Sequence, residues 1–166
     1  WLDLVRYAES NGYERDSVKP MAHGYRDYVI RAFNEDRPDD RFLTEQLAGD
    51  LLDKPTTDQL IATSFNRNHN VTSEGGIIDE EYRLEYVADR VHTTTTVFMA
   101  LTARCARCHD HKYDPISQEE YFKFYAFYNN NADPGMQTRR GNSAPMVEII
   151  TPERKQKLKA AEEKVH

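Results

Sequence analysis

The chain has 166 residues, of which 39% are hydrophobic, enough for one folded domain with its own core. Lys and Arg total 22 against 28 for Asp and Glu, and the net charge of −6 argues against a nucleic-acid or anionic-membrane partner. Apolar runs long enough to span a bilayer are absent, and the two cysteines are too few for a disulfide-rich secreted fold.

The first half of the chain predicts four helices, because apolar side chains recur there with helical spacing. Gly12 ends the first helix, and Pro38 separates the second from the third. In the third helix, Leu43, Leu47 and Leu51 share the face that we expect to be buried. The predicted helices cover residues 1–10, 25–33, 40–51 and 57–65.

A polar stretch and two further helices are predicted next. Residues 66–76 are polar and end in a pair of glycines, which predicts a loop. Residues 79–101 carry the longest helical pattern, although the β-branched threonines at positions 93–96 lower helix propensity within it. Ser117 and Glu120 have the spacing of a capping box, which predicts the start of another helix.

The C-terminal part differs in composition. Residues 132–150 contain Asn, Gly and Pro and predict a linker or surface excursion, in which residues 147–150 are the one candidate strand. Residues 151–166 predict the start of a C-terminal helical segment, so that the main domain covers residues 1–131. Helical patterns are cut at both ends, and we therefore expect the chain to be a piece of a larger protein.

The segment from Cys105 to His109 has the Cys-x-x-Cys-His spacing of covalent c-type haem attachment. Each thiol adds to one vinyl group of the macrocycle, and two intervening residues let both sulfurs reach neighbouring edges of the same ring. The histidine that follows can then bind the iron. The sequence therefore predicts one covalent haem c, attached through Cys105 and Cys108, with His109 as an axial iron ligand.

Two other functions of the cysteine pair stay open. A thioredoxin-like redox motif normally follows a strand, whereas a long helix precedes this one. A structural zinc site would use Cys105, Cys108 and either His109 or His111, together with a fourth ligand from elsewhere. The chain has no second Cys-x-x-Cys pair and no histidine pair at zinc-finger spacing.

The sixth iron ligand decides what a haem does. A second histidine gives a low-potential electron carrier, a methionine raises the potential, and an open position permits peroxide or small-ligand chemistry. His69, in the polar stretch, is the predicted sixth ligand, and a surface loop histidine is the alternative interpretation. The other candidates in the sequence are His23, His92, Met99 and His111.

Charged side chains flank the motif. Arg104 and Arg107 are candidates to pair with haem propionates, since a guanidinium suits a carboxylate. Asp110, His111 and Asp114 form a polar group whose function stays open: cation binding, a propionate contact, proton transfer, or orientation of the ligand histidine. We favour support of the iron ligand over catalysis for this group.

Five segments of the chain carry a resemblance to a known family: WLDLVRYAESNGYERD, YRDYVIRAFNEDRPDDRFLTEQLAGDLL, FNRNHNVTSEGG, EEYRLEYVADRVHTTTTVFMALT and CARCHDHKYDPISQEEYFKFYAFYNN. Through them the chain resembles the planctomycete-type cytochrome c-like domain family, a domain family of unknown function. The resemblance covers residues 1–131 and implies a haem-bearing module of large, exported, multidomain bacterial proteins, whose flanking domains would be its partners. Asn70 stands where the family has Met, which removes one candidate iron ligand, and Met99-Ala100 replaces a Leu-Gly pair.

We therefore expect an all-α domain, an irregular helical bundle with long loops around a covalently bound haem, unlike a standard small class I cytochrome c. Its predicted function is one-electron transfer to an unidentified redox partner within a larger protein. Haem c is attached outside the cytoplasm, so the motif implies a periplasmic or otherwise exported location. The alternatives are a haem-dependent enzyme domain acting on a peroxide or carbohydrate-type substrate, and a structural zinc module.

Overall fold

A computed structural model of the protein describes residues 1–13, 15–137, 146–148 and 152–163. This part of the chain is helical and contains no β-strand, only two isolated bridges, so the predicted all-α class is confirmed. None of its helices is long and apolar enough to cross a membrane. The helices are α1 (His23–Asn34), α2 (Asp39–Ala48), α3 (Thr57–Ala62), α4 (Asp79–Met99), α5 (Gln118–Ala126) and α6 (Pro152–Glu162), with 3₁₀ helices at Gly49–Leu51, Thr63–Arg67 and Ala103–Arg107.

The predicted first helix is wrong, because residues 1–10 form turns instead. Arg6 lies in the left-handed region at φ 56°, a conformation that interrupts a helix. Its guanidinium donates to the Asp89 carboxylate of α4 at 2.9 and 2.5 Å. Trp1 packs edge-on against Phe42 of α2, with ring centroids 5.0 Å apart. Long-range contacts therefore override the local helical pattern in this segment.

The buried face of α2 also differs from the prediction. Leu51 lies beyond the helix and is 80% exposed, whereas Glu45 and Gln46 are buried. The Glu45 carboxylate accepts hydrogen bonds from the Tyr28 hydroxyl at 2.9 Å and the Arg37 guanidinium at 2.5 Å. Burial raises the pKa of Glu45, but its hydrogen bonds outweigh that effect and hold the pKa below its ordinary value. A polar side chain thus occupies a core position because several donors satisfy it.

The two helices that flank the motif begin where the sequence predicted, and α4 ends two residues before its predicted end at residue 101. The long helix α4 runs through the threonine stretch and ends before Ala100, which adopts a left-handed conformation at φ 53°. At the start of α5, the Ser117 hydroxyl accepts from the Glu120 N–H at 3.1 Å. The Glu120 carboxylate accepts from the Ser117 N–H at 2.8 Å, which completes the predicted capping box.

After the 3₁₀ helix that ends at Arg67, residues 68–76 form the predicted loop, and the middle of this loop lies in the interior although it is polar. Thr72 and Ser73 are fully buried, and His69 is only 4% exposed. Backbone groups of Thr72 find partners inside the domain: its N–H donates to the Tyr86 hydroxyl at 2.8 Å, and its carbonyl accepts from the Gln137 N–H at 2.9 Å. Because these polar groups are paired, the segment can lie in the interior.

Buried residues also occur after residue 131, where the sequence places the end of the main domain. Asp133 is buried, and the Gly135 carbonyl accepts from the Tyr86 hydroxyl at 2.8 Å. A Cβ atom at Gly135 would lie 1.7 Å from the Asp79 carbonyl oxygen, so only glycine fits there. Of the candidate strand, residues 147–148 are not in a strand and residues 149–150 lie outside the described residues, as does the predicted cap at position 151.

Two apolar clusters make up the core, and α4 contributes to both. Val97 and Phe98 of α4 pack against the first cluster, which joins the N-terminal turns to α1 and α3. Val87 and Val91 of α4 belong to the second cluster, which holds the 3₁₀ helix of residues 103–107 and α5. The cysteine motif therefore lies on the second cluster, whose buried members are Val87, Val91, Ala103, Ala106, Tyr121 and Tyr128.

Candidate haem-attachment site

The cysteine motif begins in the 3₁₀ helix Ala103–Arg107, which connects α4 to α5. In a 3₁₀ helix, side chains three positions apart lie one above the other. Ala103 and Ala106 therefore share one side of the turn, and they are 3% and 0% exposed within the second cluster. Their small side chains let the turn lie close against its neighbouring helices.

The two cysteines share another side of the same turn. Cys105 and Cys108 are also three positions apart, both are free thiols, and both are exposed. The Cys108 N–H donates to the Cys105 carbonyl at 3.3 Å and closes the turn between them. The buried alanines thus fix the orientation of the turn, which presents both thiols at the surface.

His109 follows the turn with an exposed imidazole. Its Nδ1 lies 2.8 Å from the Asp110 carbonyl oxygen. A carbonyl only accepts, so Nδ1 is the donor, and Nε2 is the ring nitrogen that can bind a metal. Metal-binding histidines commonly use this arrangement, in which one ring nitrogen donates to a carbonyl and the other binds the metal.

The residues after His109 hold the motif against α5. The Asp110 carboxylate accepts from the Gln118 N–H, in the first turn of α5, at 2.8 Å. The Gln118 side chain donates to the Arg107 carbonyl at 3.1 Å. Asp110 therefore accepts two hydrogen bonds. Its carbonyl binds the His109 ring, and its carboxylate binds the N-terminal end of α5.

His111 shapes the turn that follows. Its Nδ1 accepts from the backbone N–H groups of Asp114 at 2.9 Å and Tyr113 at 3.3 Å. The backbone N–H of His111 donates to the backbone carbonyl of Ile116 at 2.8 Å. Since Nδ1 accepts, the imidazole proton lies on Nε2. The His111 ring thus stabilises this loop by binding two of its backbone N–H groups.

The two arginines beside the cysteines differ. Arg107 makes two parallel hydrogen bonds to the Glu85 carboxylate of α4, at 2.9 and 2.5 Å. The Arg107 side chain lowers the pKa of Glu85 through these hydrogen bonds. Arg104 is exposed, and its charge acts on Glu85 and on His92 of α4. Arg107 is thus paired with a carboxylate of α4. Arg104 lies next to Cys105, and no carboxylate of the described residues forms an ion pair with it.

His69, the predicted sixth ligand, lies in the interior, so its interpretation as a surface histidine is wrong. Its Nδ1 donates to the Asn70 carbonyl at 2.9 Å, and its Nε2 accepts from the Arg90 guanidinium at 3.0 Å. The imidazole stacks on Tyr86 with ring centroids 4.5 Å apart. Burial, followed by the charge of Arg90, holds the pKa of His69 well below its ordinary value. Both nitrogens have partners, so binding to iron would require His69 to release one of them.

Arg90 connects His69 to the end of the domain. The Arg90 guanidinium pairs with the buried Asp133 carboxylate and donates to the Asn66 carbonyl at 2.7 Å. Arg67 adds a second ion pair to Asp133 at 3.1 Å. This buried network ties three segments together, because a desolvated charge is tolerated only when it is paired.

The remaining candidates for the sixth ligand have different surroundings. Met99 is 55% exposed and is therefore not a core residue. His23 is exposed, and its Nδ1 donates to the Pro20 carbonyl at 3.0 Å. His92 is partly buried on α4, and its buried Nδ1 has no hydrogen-bond partner in the described part of the chain. Burial lowers the pKa of His92, which favours the neutral imidazole.

Side-chain placement gives no support to the zinc alternative. Zinc in a structural site takes four nitrogen or sulfur ligands in tetrahedral geometry. Within residues 1–13, 15–137, 146–148 and 152–163, no group of three or more His, Cys, Asp or Glu side chains is arranged to hold a metal ion.

Sequence reasoning missed the partners of these residues. Arg90 lies three positions after Val87, so its place on the buried face of α4 was visible in the helical period. A charged residue in that position signals a buried ion pair. Its partner Asp133 gave no such signal, because no periodic pattern surrounds it. The pairing of Glu85 with Arg107 likewise depends on how the turn packs against α4.

The fold and the site together define an all-α domain with an exposed Cys-x-x-Cys-His turn. Residues 1–133 match the family model PSCyt2, described as protein of unknown function (DUF1549). The chain therefore belongs to this family, as the resemblance of its sequence indicated. No curated protein and no solved structure matches the chain.

Proposed function

We propose that this domain is a c-type cytochrome module that carries one covalent haem and transfers single electrons within a larger exported protein. The observation that carries the proposal is the exposed turn, in which both thiols share one side and the next residue offers the Nε2 atom of its exposed imidazole. Cys105 and Cys108 would hold the group, and His109 would bind its iron. Two thiols and an imidazole are the donor set that haem c requires.

The protein's own residues prepare this site. The carbonyl of Asp110 fixes the tautomer of His109, and the carboxylate of Asp110 anchors the loop to α5. Arg107 ties the turn to α4 through Glu85. When bound, haem c supplies one-electron chemistry between ferric and ferrous iron. The redox partner would be another protein or a flanking domain, in the periplasm or another exported location.

The first experiment is expression in a bacterial host that matures c-type cytochromes in its periplasm. We expect a sharp α-band in the reduced visible spectrum and haem-dependent staining of the denatured chain. The double variant Cys105→Ala/Cys108→Ala should lose covalent staining. Tyr113→Phe is the matched control, because Tyr113 is 82% exposed beside the motif and carries no thiol.

Two outcomes would overturn the proposal. Colourless wild-type protein with stoichiometric zinc, from a host that loads a known cytochrome, would favour the structural zinc module. Rapid binding of cyanide or carbon monoxide to the loaded protein would reveal an open iron position, and this would favour a haem-dependent enzyme over an electron carrier.

A further inference from the structure

We propose that His92, rather than His69, is the second axial iron ligand of this domain. The inference rests on the proposed haem and names the residue that completes its coordination. It makes the iron bis-histidine ligated, which is the arrangement of a low-potential electron carrier.

Hydrogen bonding in the domain already occupies two of the other histidines. Both ring nitrogens of His69 have partners, and one of those partners is the buried Arg90. The Nδ1 of His111 accepts two backbone N–H groups in its own loop. Recruiting either histidine would break contacts that hold the fold together.

His23 lies on a helix that packs in a different apolar cluster from the cysteine turn. It begins α1, which packs in the first apolar cluster, whereas the turn that carries Cys105 lies on the second. Its Nδ1 also donates to the Pro20 carbonyl. The position of α1 therefore separates His23 from the motif.

His92 combines position with an incomplete set of hydrogen bonds. It follows Val91, which packs with Ala103 and Ala106 of the turn in the second cluster. Glu85 lies seven positions before His92 and therefore on the same face of α4. Its carboxylate accepts both hydrogen bonds from Arg107, the residue before Cys108, so this face of α4 borders the attachment site. Buried polar atoms are nearly always paired, yet the buried Nδ1 of His92 has no partner among the described residues.

Met99 is the rival ligand on the same helix. It lies seven positions after His92, so both side chains occupy the same face of α4, and Met99 is 55% exposed. A methionine ligand would raise the reduction potential relative to a second histidine. Spectroscopy distinguishes the two ligand sets.

The test compares haem-loaded wild-type protein with His92→Ala, His23→Ala and Met99→Leu. We expect the wild type to be low-spin, with near-infrared magnetic circular dichroism typical of two histidines, and not to bind carbon monoxide. His92→Ala should keep its covalent haem stain but become high-spin and bind carbon monoxide. Added imidazole should restore the low-spin spectrum. His23→Ala and Met99→Leu should behave as wild type.

The outcomes separate this inference from the proposed function. An unchanged low-spin spectrum in His92→Ala, or a high-spin spectrum in Met99→Leu alone, would overturn the assignment of His92 while haem staining still supports the cytochrome. Loss of staining in the wild type would instead overturn the proposed function. If His92→Ala fails to fold, the near-infrared spectrum of the wild type still decides between two histidines and a histidine–methionine pair.

Discussion

Arg107 and Glu85 form a two-point ion pair that joins the cysteine turn to α4, with N–O distances of 2.9 and 2.5 Å. Arg107 is the residue between the two cysteines that points away from the core, so this pair limits how far the turn can move. The side chains are 34% and 48% exposed, and solvent therefore screens much of their attraction.

We expect Glu85→Gln to lower the free energy of unfolding by about 0.5–1 kcal/mol, the upper part of the range for exposed pairs, because the geometry is bidentate. Urea unfolding at neutral pH measures the change. Glu119→Gln is the control, since the Glu119–Lys123 pair is more exposed and has a single contact. Equal effects of the two substitutions would contradict a special role for Glu85.

The buried pair of Arg90 and Asp133 should contribute far more. Their side chains are 2% and 5% exposed, so removing one charge leaves the other buried and unpaired. We expect Asp133→Ala to lower the free energy of unfolding by about 3–5 kcal/mol. Asp58→Ala removes an exposed partner of Arg31 and should cost about 0–1 kcal/mol. A small effect of Asp133→Ala in the same denaturant titration would show that the network does not stabilise the fold.

These two pairs show why the sequence predicted some features and missed others. Helical periodicity predicted α1, α4 and α5, because their apolar residues recur with helical spacing and pack in the two apolar clusters. The same reasoning made residues 1–10 a helix and did not show that the loop before α4 is partly buried, since it had no information on tertiary partners. The turns and the buried loop owe their conformations to contacts with distant residues such as Asp89 and Tyr86.

The candidate site was more accessible to sequence reasoning than its surroundings. The spacing of Cys105, Cys108 and His109 is local, so it specified which side chains would lie together. Their orientation depends on Ala103 and Ala106, whose small size has meaning only once α4 and α5 pack against them. The interior position of a loop histidine likewise requires knowledge of its buried arginine partner, which lies on another element.

Glu45 should make the stability of the domain depend on acid pH. Its folded-state pKa lies below the unfolded value of about 4.3, so its stabilisation is present above that pH. The contribution is lost as the pH falls through the folded-state pKa. We expect Glu45→Gln to lower the free energy of unfolding by about 1–3 kcal/mol at neutral pH. The difference in unfolding free energy between this variant and wild type should narrow as the pH falls below about 4.

Urea titrations from pH 7 to pH 3 measure this difference. Glu35→Gln is the matched control, because Glu35 binds the same arginine, Arg37, from an exposed position. Its cost should stay within about 1 kcal/mol at neutral pH. A constant gap between wild type and Glu45→Gln across this pH range would contradict the ionised state of Glu45 in the fold.

The turn itself offers a test that links packing to haem attachment. Ala106 is fully buried between the two cysteines, and Leu at this position would overpack the second cluster. We expect Ala106→Leu to cost about 1–3 kcal/mol and to reduce the fraction of chains that retain haem after denaturation, because the turn must shift to fit the larger side chain. Arg104→Leu adds the same side chain on the exposed side of the turn and should attach haem as wild type does. Equal staining of all three proteins at matched expression would show that thiol presentation does not depend on how the turn is buried.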